Sequence, residues 1–348
     1  MEKNRCLFCY KELGDGQHDF HPSCARKFFG ISEVPVMPYT RDNMHELAQK
    51  VIRTSTSVTG VQAKMSLDID RGGKNEPSRF TVVGLWGKYI FKPESPKYRE
   101  LPQLEDLTMK MADIAKIKTV PHTLVKLADG EFGYLTKRVD RTADGKPLSM
   151  LDMCQLSNRL TEHKYDGTYV QLADVVSKYS RTPLLDVQRF WEIVIFSWIT
   201  GNSDMHCKNF SLIDEKGIGE YRLAPAYDLL SVLLADQNDT DEMAMTFEVG
   251  GRKSGFGRET FIKAMTESGV GEKVAAKIIS RLCACESAWC EAIDSSFLSD
   301  NLKREYKILI HSRLVQLILH FLHKTARAVT RSAAAAVLRL GVGKCFQD

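Results

Sequence analysis

Asp204 and Asn209 stand five residues apart in GNSDMHCKNFS, and Asp228 follows nineteen residues later in LAPAYDLL. Two oxygen-bearing side chains after a proton-accepting aspartate are what phosphoryl transfer asks of a protein: a base to orient the nucleophile and hard ligands for magnesium. The remaining requirement is a cation for the phosphates, with a carboxylate to orient it. Lys92 at the end of YIFKP and Glu105 in LPQLE supply that pair in the right order. Taken singly, each Asp or Asn is more readily a helix cap or turn former. The joint order Lys, Glu, Asp-x4-Asn, Asp favours chemistry. A second constellation lies at the start of the chain: Cys6-x2-Cys9, then His21-x2-Cys24. Two soft or borderline pairs at this spacing suit a tetrahedral structural zinc site, although His18 competes for the ligand role and buried, unligated cysteine is common. The segment lacks the basic and aromatic density of a nucleic-acid-binding knuckle.

The elements that must position these residues fall into an α+β pattern. The length of 348 residues exceeds what a single core usually serves, so two packed lobes are expected. Residues 1–45 form a Cys/His segment with a proline-punctuated end, and 46–136 form a small, β-rich N-terminal lobe. Residues 137–325 form a mainly helical C-terminal lobe, and 326–348 an alanine-rich, basic tail with little to anchor it. Within the N-terminal lobe we expect a helix at 46–53, a hydroxyl-rich loop at 54–60, and a hairpin from RFTVVGLWGKYIFKP closed by its proline. Leu104, Leu107, Met111 and Ile114 mark one face of a helix that carries Glu105 near its start. EFGYLTKRVDR is a strand leading into the hinge. LLDVQRFWEIVIFSWIT is apolar nearly all round, a central buried helix that delivers the chain to Asp204, and FSLIDEKGIGEYRLAP is a hairpin that returns it to Asp228.

Composition narrows the class further. Hydrophobic residues at 43% and charged residues at 26% describe a globular chain, and the net charge of +4 with no long Lys/Arg block demands no nucleic acid. The apolar run at 194–200 is too short to cross a bilayer, so no membrane role is expected. The first residues do not read as a secretory signal, which makes the cytoplasm the expected compartment and reduced thiols the expected state of the nine cysteines. Cys283, Cys285 and Cys290 fall in a helical pattern where packing is their expected role.

SVTGVQAK, YIFKP, LPQLE, KRVDR, GNSDMHCKNFS and LAPAYDLLS together resemble the HipA-like serine/threonine kinases of bacterial toxin–antitoxin systems, collinearly from about residue 50 to 320. The resemblance implies a two-lobed, protein-kinase-like fold that uses ATP and Mg2+. It makes Asp204 the catalytic base, places Asn209 and Asp228 on magnesium with Tyr227 alongside, and lets Lys92 reach the phosphates. His206, Cys207, Lys208 and Asn209 would line the nucleotide site, and Lys137, Arg138 and Val139 would flank the adenine. Arg138 and Asp140 are also placed to form a structural ion pair at the hinge.

Thr59, Gly60, Val61, Gln62, Ala63 and Lys64 would cover the phosphates, a loop with one glycine that no Gly-rich motif search would find. Ser57 matches the family's autophosphorylated serine, with Thr59 a second hydroxyl; phosphate there would repel ATP and switch the site off. Longer family members carry an extra subdomain before the kinase core, so the chain resembles the short toxin form. That form implies two partners: a small protein equivalent to the subdomain, and a helix-turn-helix antitoxin that alone contacts DNA. The substrate implied is an aminoacyl-tRNA synthetase, tryptophanyl for the short form or glutamyl for the long. The alternative is a catalytically silent kinase fold acting as an antitoxin corepressor. An ATP-grasp or lipid kinase would use the same metals and a similar lysine.

Overall fold

The computed structural model describes residues 4–44, 46–47, 64–73, 76–83, 87–142 and 144–325, with side chains through residue 318. Most of the expected phosphate-covering loop, Ser57 and Thr59 to Ala63, lies outside the described residues, as do most of the helix expected at 46–53 and the tail at 326–348. Helical backbone is present from residue 41, earlier than expected.

A short helix, α1 (Pro22–Phe29), follows the first cysteines and packs Phe28 and Phe29 onto Tyr89 and Phe80 of the neighbouring sheet. That sheet is antiparallel and five-stranded: β1 (Met65–Asp70), β2 (Arg79–Val82), β3 (Tyr89–Pro93), β4 (His122–Lys126) and β5 (Phe132–Lys137), in the order β2-β1-β3-β5-β4. The expected hairpin of β2 with β3 is therefore wrong. β1 lies between them and pairs with both, Leu67 opposite Val82 on one side and Tyr89 on the other. Adjacency in sequence favoured the local pairing, while the two acids in MSLDID, a strand half-buried at its far end, weakened its apolar signal.

In β3, successive side chains face opposite ways. Phe91 enters the core shared with α1, and Lys92 points to the other side. Gly133, opposite Pro93, keeps this register possible, because a Cβ there would stand 2.2 Å from the Phe91 ring.

Helix α2 (Leu101–Ile114) packs against β4 and β5. Leu101 through Met109 are all buried, so the helix is sandwiched rather than presenting one apolar face. Only a helix covered on both sides would bury Gln103, Glu105 and Asp106 as well.

The second lobe begins with β6 (Ser149–Asp152), which joins β7 (Ser211–Asp214) and β8 (Arg222–Leu223) in a three-stranded antiparallel sheet. The expected hairpin between Asn209 and Asp228 is thus present. Helices α3 (Met153–Leu156), α4 (Tyr169–Tyr179) and α5 (Pro183–Thr200) follow β6. Thr168 opens α4 with a reciprocal capping box to Gln171.

Proline in the first turn starts α5, and Gly201 stops it at φ 72°, where a larger residue would be strained and its Cβ would meet Leu309 at 2.8 Å. Trp191, Phe196 and Trp198 of α5 are fully buried, each contributing about 1.5–3 kcal/mol by burial. The loop that leaves this helix therefore starts from a fixed point. α6 (Val232–Ala235), α7 (Arg258–Glu267), α8 (Glu272–Cys283), α9 (Glu286–Ser295) and α10 (Asp300–Thr325) complete the lobe. Trp289 of α9 packs edge-on to Phe196 and donates from its indole N–H to Met111 O of α2, closing one lobe onto the other. Cys283 and Cys285 are half-buried with free thiols.

Candidate active site

Lys92 and Glu105 meet as the sequence order suggests. The ammonium lies 2.5 Å from Glu105 Oε1, and both side chains are nearly inaccessible to water. The same ammonium also donates to Asp228 Oδ1. Asp228 in turn accepts from Lys64 Nζ at 2.8 Å. A single cluster therefore joins β3, α2, the residue before β1 and the loop after β8.

Burial disfavours the Asp228 charge, but Lys64 and Lys92 hold its carboxyl well below the usual carboxylate range. Burial likewise works against the Lys92 charge, and the Asp228 and Glu105 carboxylates outweigh it, raising its pKa above that of an ordinary lysine. Burial pushes the Glu105 carboxyl up, with Lys92 as its counterweight. Asp228 has φ 55°, the left-handed region that is uncommon outside glycine, although aspartate adopts it more readily than most residues. Such a conformation costs of the order of 1–3 kcal/mol and persists where surrounding contacts impose it. Here Asn202 Nδ2 donates to Asp228 O at 3.3 Å, and the carboxylate is gripped by two lysines.

The loop from Gly201 to Asn209 reaches both carboxylates. Asn209 Nδ2 donates to Asp204 O at 3.0 Å, which turns the asparagine back under the aspartate. The Asp204 side chain is 49% exposed and accepts from Tyr165 OH at 2.7 Å. An open carboxylate with one neutral donor is suited to take a proton from an incoming hydroxyl.

His206 Nε2 lies 3.9 Å from Asp204 Oδ2, but burial lowers the imidazole pKa to about 4, so the ring is neutral at neutral pH. Its sign in pH-dependent stability follows directly. The unfolded chain takes up this proton near 6.5 and the folded chain only near 4, so the unfolded state binds more protons in between. Stability is expected to fall as pH is lowered from about 6.5 towards 4, with a shallower decline in His206→Gln. Urea unfolding across that range checks it.

The other expected site residues divide into two groups. Lys208 pairs with Asp152 at 2.6 Å, and Tyr227 OH donates to Lys208 O at 2.9 Å while lying 2.6 Å from Ser211 Oγ. These contacts brace the loop against β6 and β7. Cys207 is fully buried, so its side chain belongs to the core, and only its backbone can face a ligand. Lys137 and Arg138 are engaged elsewhere: Lys137 Nζ stands over the Phe28 ring at 5.2 Å, and Arg138 pairs with Asp140 at 2.6 Å. Val139 packs against the main core. Their backbone N–H groups are also committed, Lys137 to Pro121 O and Arg138 to Lys88 O. Tyr165 and Asn202 were not singled out in the sequence. Tyr165 carried no signal in LTEHKYDG, and Asn202 was hidden in the same loop as Asp204.

The second constellation also closes. The ligand atoms of Cys6, Cys9, His21 and Cys24 all lie within 4.8 Å of one another. His21 Nδ1 is 3.4 Å from Cys9 Sγ and 3.7 Å from Cys24 Sγ, against about 3.6 Å for the N–S edge of a tetrahedral zinc site. The other ring nitrogen, Nε2, faces Glu12 O at 3.0 Å, the outer hydrogen bond that fixes a metal-binding imidazole.

Comparison with known proteins identifies relatives by sequence and by fold. A protein of Haemophilus influenzae named "Putative kinase" is 26% identical over 243 residues, covering 67% of this chain and 66% of its own. "Putative kinase Y4dM" of Sinorhizobium fredii is 30% identical over 235 residues, covering 63% and 55%. The chain thus spans between about half and two thirds of the curated relatives it matches.

Among solved structures, HipA of the Shewanella oneidensis MR-1 toxin–antitoxin system, crystallised with HipB and operator DNA, superposes with a TM-score of 0.64. The identity is 19%, over 88% of this chain and 80% of that one. The Helicobacter pylori proinflammatory kinase CtkA gives a TM-score of 0.51 at 15% identity, over 72% and 94%. The fold is therefore the α+β, protein-kinase-like architecture of these two proteins. No helix among the described residues is long and apolar enough to cross a membrane. Residues 56–289, more than half of the sequence, match the HipA-like C-terminal domain, and the chain belongs to that family.

Proposed function

We propose that this chain is a toxin kinase that transfers the γ-phosphate of ATP to a protein serine or threonine hydroxyl. The observation that carries the proposal is the sharing of one buried ammonium, Lys92, between Glu105 and Asp228. A lysine so held is aimed and charged, ready to move onto phosphate oxygens when a nucleotide enters. ATP supplies the phosphoryl group, and Mg2+ would sit on Asn209 and Asp228, neutralising charge that builds on the phosphates. Asp204 accepts the proton of the attacking hydroxyl, while Tyr165 holds the carboxylate in place until that hydroxyl arrives. Lys64, already on Asp228, ends the loop of Thr59 to Ala63 that would close over the phosphates.

An aminoacyl-tRNA synthetase, tryptophanyl or glutamyl, is the proposed substrate. A small subdomain-like protein and a helix-turn-helix antitoxin are the proposed partners, and Ser57 and Thr59 the proposed autophosphorylation sites. The test is incubation of the purified chain with ATP and Mg2+, followed by intact mass and site mapping, with the two synthetases added in parallel. Phosphate on Ser57 or Thr59, and on one synthetase, is the expected result. Tight nucleotide binding without transfer to any protein would instead favour the silent corepressor.

The Cys6, Cys9, His21 and Cys24 set is read as a structural zinc site, since three thiolates and one imidazole suit that ion. Elemental analysis is expected to find one zinc per chain in wild type and little in Cys9→Ser.

A further inference from the structure

The Cys/His centre does not stand apart from the active site. Tyr10, one residue beyond Cys9, has φ 62°, a conformation that a bulky aromatic residue adopts only under constraint. The constraint is the turn between the first two ligands, in which Tyr10 N donates to Cys6 O at 2.8 Å. So placed, Tyr10 OH donates to Asp106 Oδ2 at 2.7 Å, a contact between residues 96 positions apart. Phe8, from the same turn, accepts from Lys110 Nζ at 2.6 Å through its carbonyl. The Lys110 ammonium also stands over the Tyr10 ring at 4.8 Å. Both receiving residues, Asp106 and Lys110, are on α2. Asp106 is fully buried and accepts from His122 Nδ1 at 2.7 Å on β4, so it joins the Cys/His turn, the helix and the sheet.

Glu105 is the next residue along. Neighbours on a helix point about 100° apart, so the one rotation of α2 that gives Asp106 to Tyr10 and His122 gives Glu105 to Lys92. No slack exists for one to move without the other, because Leu101 through Met109 are buried throughout.

We propose that the Cys6/Cys9/His21/Cys24 metal centre is a positioning element of the nucleotide site: the metal holds the turn, the turn aims Tyr10 and the Phe8 carbonyl, and these fix α2 in the rotation that engages Glu105 with Lys92. The proposal rests on the reading of Lys92 and Glu105 as the phosphate-site pair and of the centre as a zinc site. Tyr10 and Asp106 touch no substrate in this scheme and act through α2.

The test is chemical footprinting of lysines in the full chain, without nucleotide or magnesium, so that it does not depend on catalysis. Acetylation of Lys92 is measured by mass spectrometry against Lys118, which is 70% exposed and serves as the internal standard. Three samples are compared: zinc-loaded wild type, the same protein after chelation, and zinc-loaded Tyr10→Phe, which keeps the ring and loses the hydroxyl. Lys92 labelling relative to Lys118 is expected to rise about tenfold after chelation and in Tyr10→Phe, the scale set by losing a hydrogen bond to a buried charge. Added zinc should reverse the first change and not the second.

Unchanged Lys92 protection in Tyr10→Phe, or in a folded chain after chelation, overturns the proposal, as does a chain that binds no zinc. If chelation unfolds the protein, visible as uniform labelling and lost circular dichroism, Tyr10→Phe alone decides. A chain that shows the expected labelling yet transfers no phosphate has failed as a kinase while this coupling stands. An active kinase with protected Lys92 in Tyr10→Phe has failed the coupling alone.

Discussion

Asp204→Asn is expected to lower phosphoryl transfer by about 10²–10⁴-fold, the usual contribution of a positioned general base, while leaving stability and nucleotide affinity close to wild type. The geometry accounts for the contrast. The Asp204 side chain is half exposed and its one short hydrogen bond comes from Tyr165, so an asparagine of the same size keeps that acceptor and strands no buried charge. Asn209 is bound to the Asp204 backbone oxygen, which the substitution does not touch. What disappears is the capacity to take a proton. Initial rates at saturating MgATP, measured beside urea unfolding, separate the two effects. Transfer persisting at the wild-type rate would remove Asp204 from the role of base, and loss of stability in parallel with rate would make its role structural.

Lys92→Met is expected to fail in both respects. Its ammonium is the counter-charge for Glu105, which is buried, and shares Asp228 with Lys64. Removing one member of a buried ion pair costs about 3–5 kcal/mol, because the charge left behind is stranded. Asp228 keeps Lys64, so most of that penalty falls on Glu105. Adding Glu105→Gln to Lys92→Met should therefore recover much of the stability and none of the nucleotide binding, which is expected to fall at least about tenfold with the loss of a charge-assisted contact to phosphate. Denaturant unfolding of the single and double variants, with calorimetric titration of MgATP, checks both halves. A double variant no more stable than Lys92→Met would mean that Glu105 is not stranded.

What could be read in the sequence was set by distance along the chain and by how strongly one residue type narrows its own surroundings. The central helix at Pro183–Thr200 was legible because its apolar residues run all round, and the hairpin after Asn209 because strand and turn signals alternate over a short span. Lys92 and Glu105 were legible from order alone, since a strand ending in Lys-Pro before a helix with an early glutamate leaves few other arrangements. The insertion of Met65–Asp70 between its neighbours was not, because its acids blunt the apolar signal and its pairing skips the local choice. Contacts that depend on conformation rather than composition were equally hidden. Nothing in KRVDR tells that Lys137 turns towards Phe28, and nothing around Tyr10 tells that its hydroxyl meets Asp106. The spacing of Cys6, Cys9, His21 and Cys24 was visible from the start, whereas its connection to α2 became visible only in three dimensions.

The two lysines that grip Asp228 bear on the order in which ligands arrive. A carboxylate already neutralised by internal ammonium groups offers little attraction to a bare divalent cation, so magnesium alone should find the pocket unrewarding. Phosphate oxygens would change that balance, because they would draw Lys64 and Lys92 towards themselves and leave the carboxylate uncompensated. Nucleotide and magnesium would then be taken up as one unit, and after the phosphoryl group departs the lysines would swing back and help expel the ion.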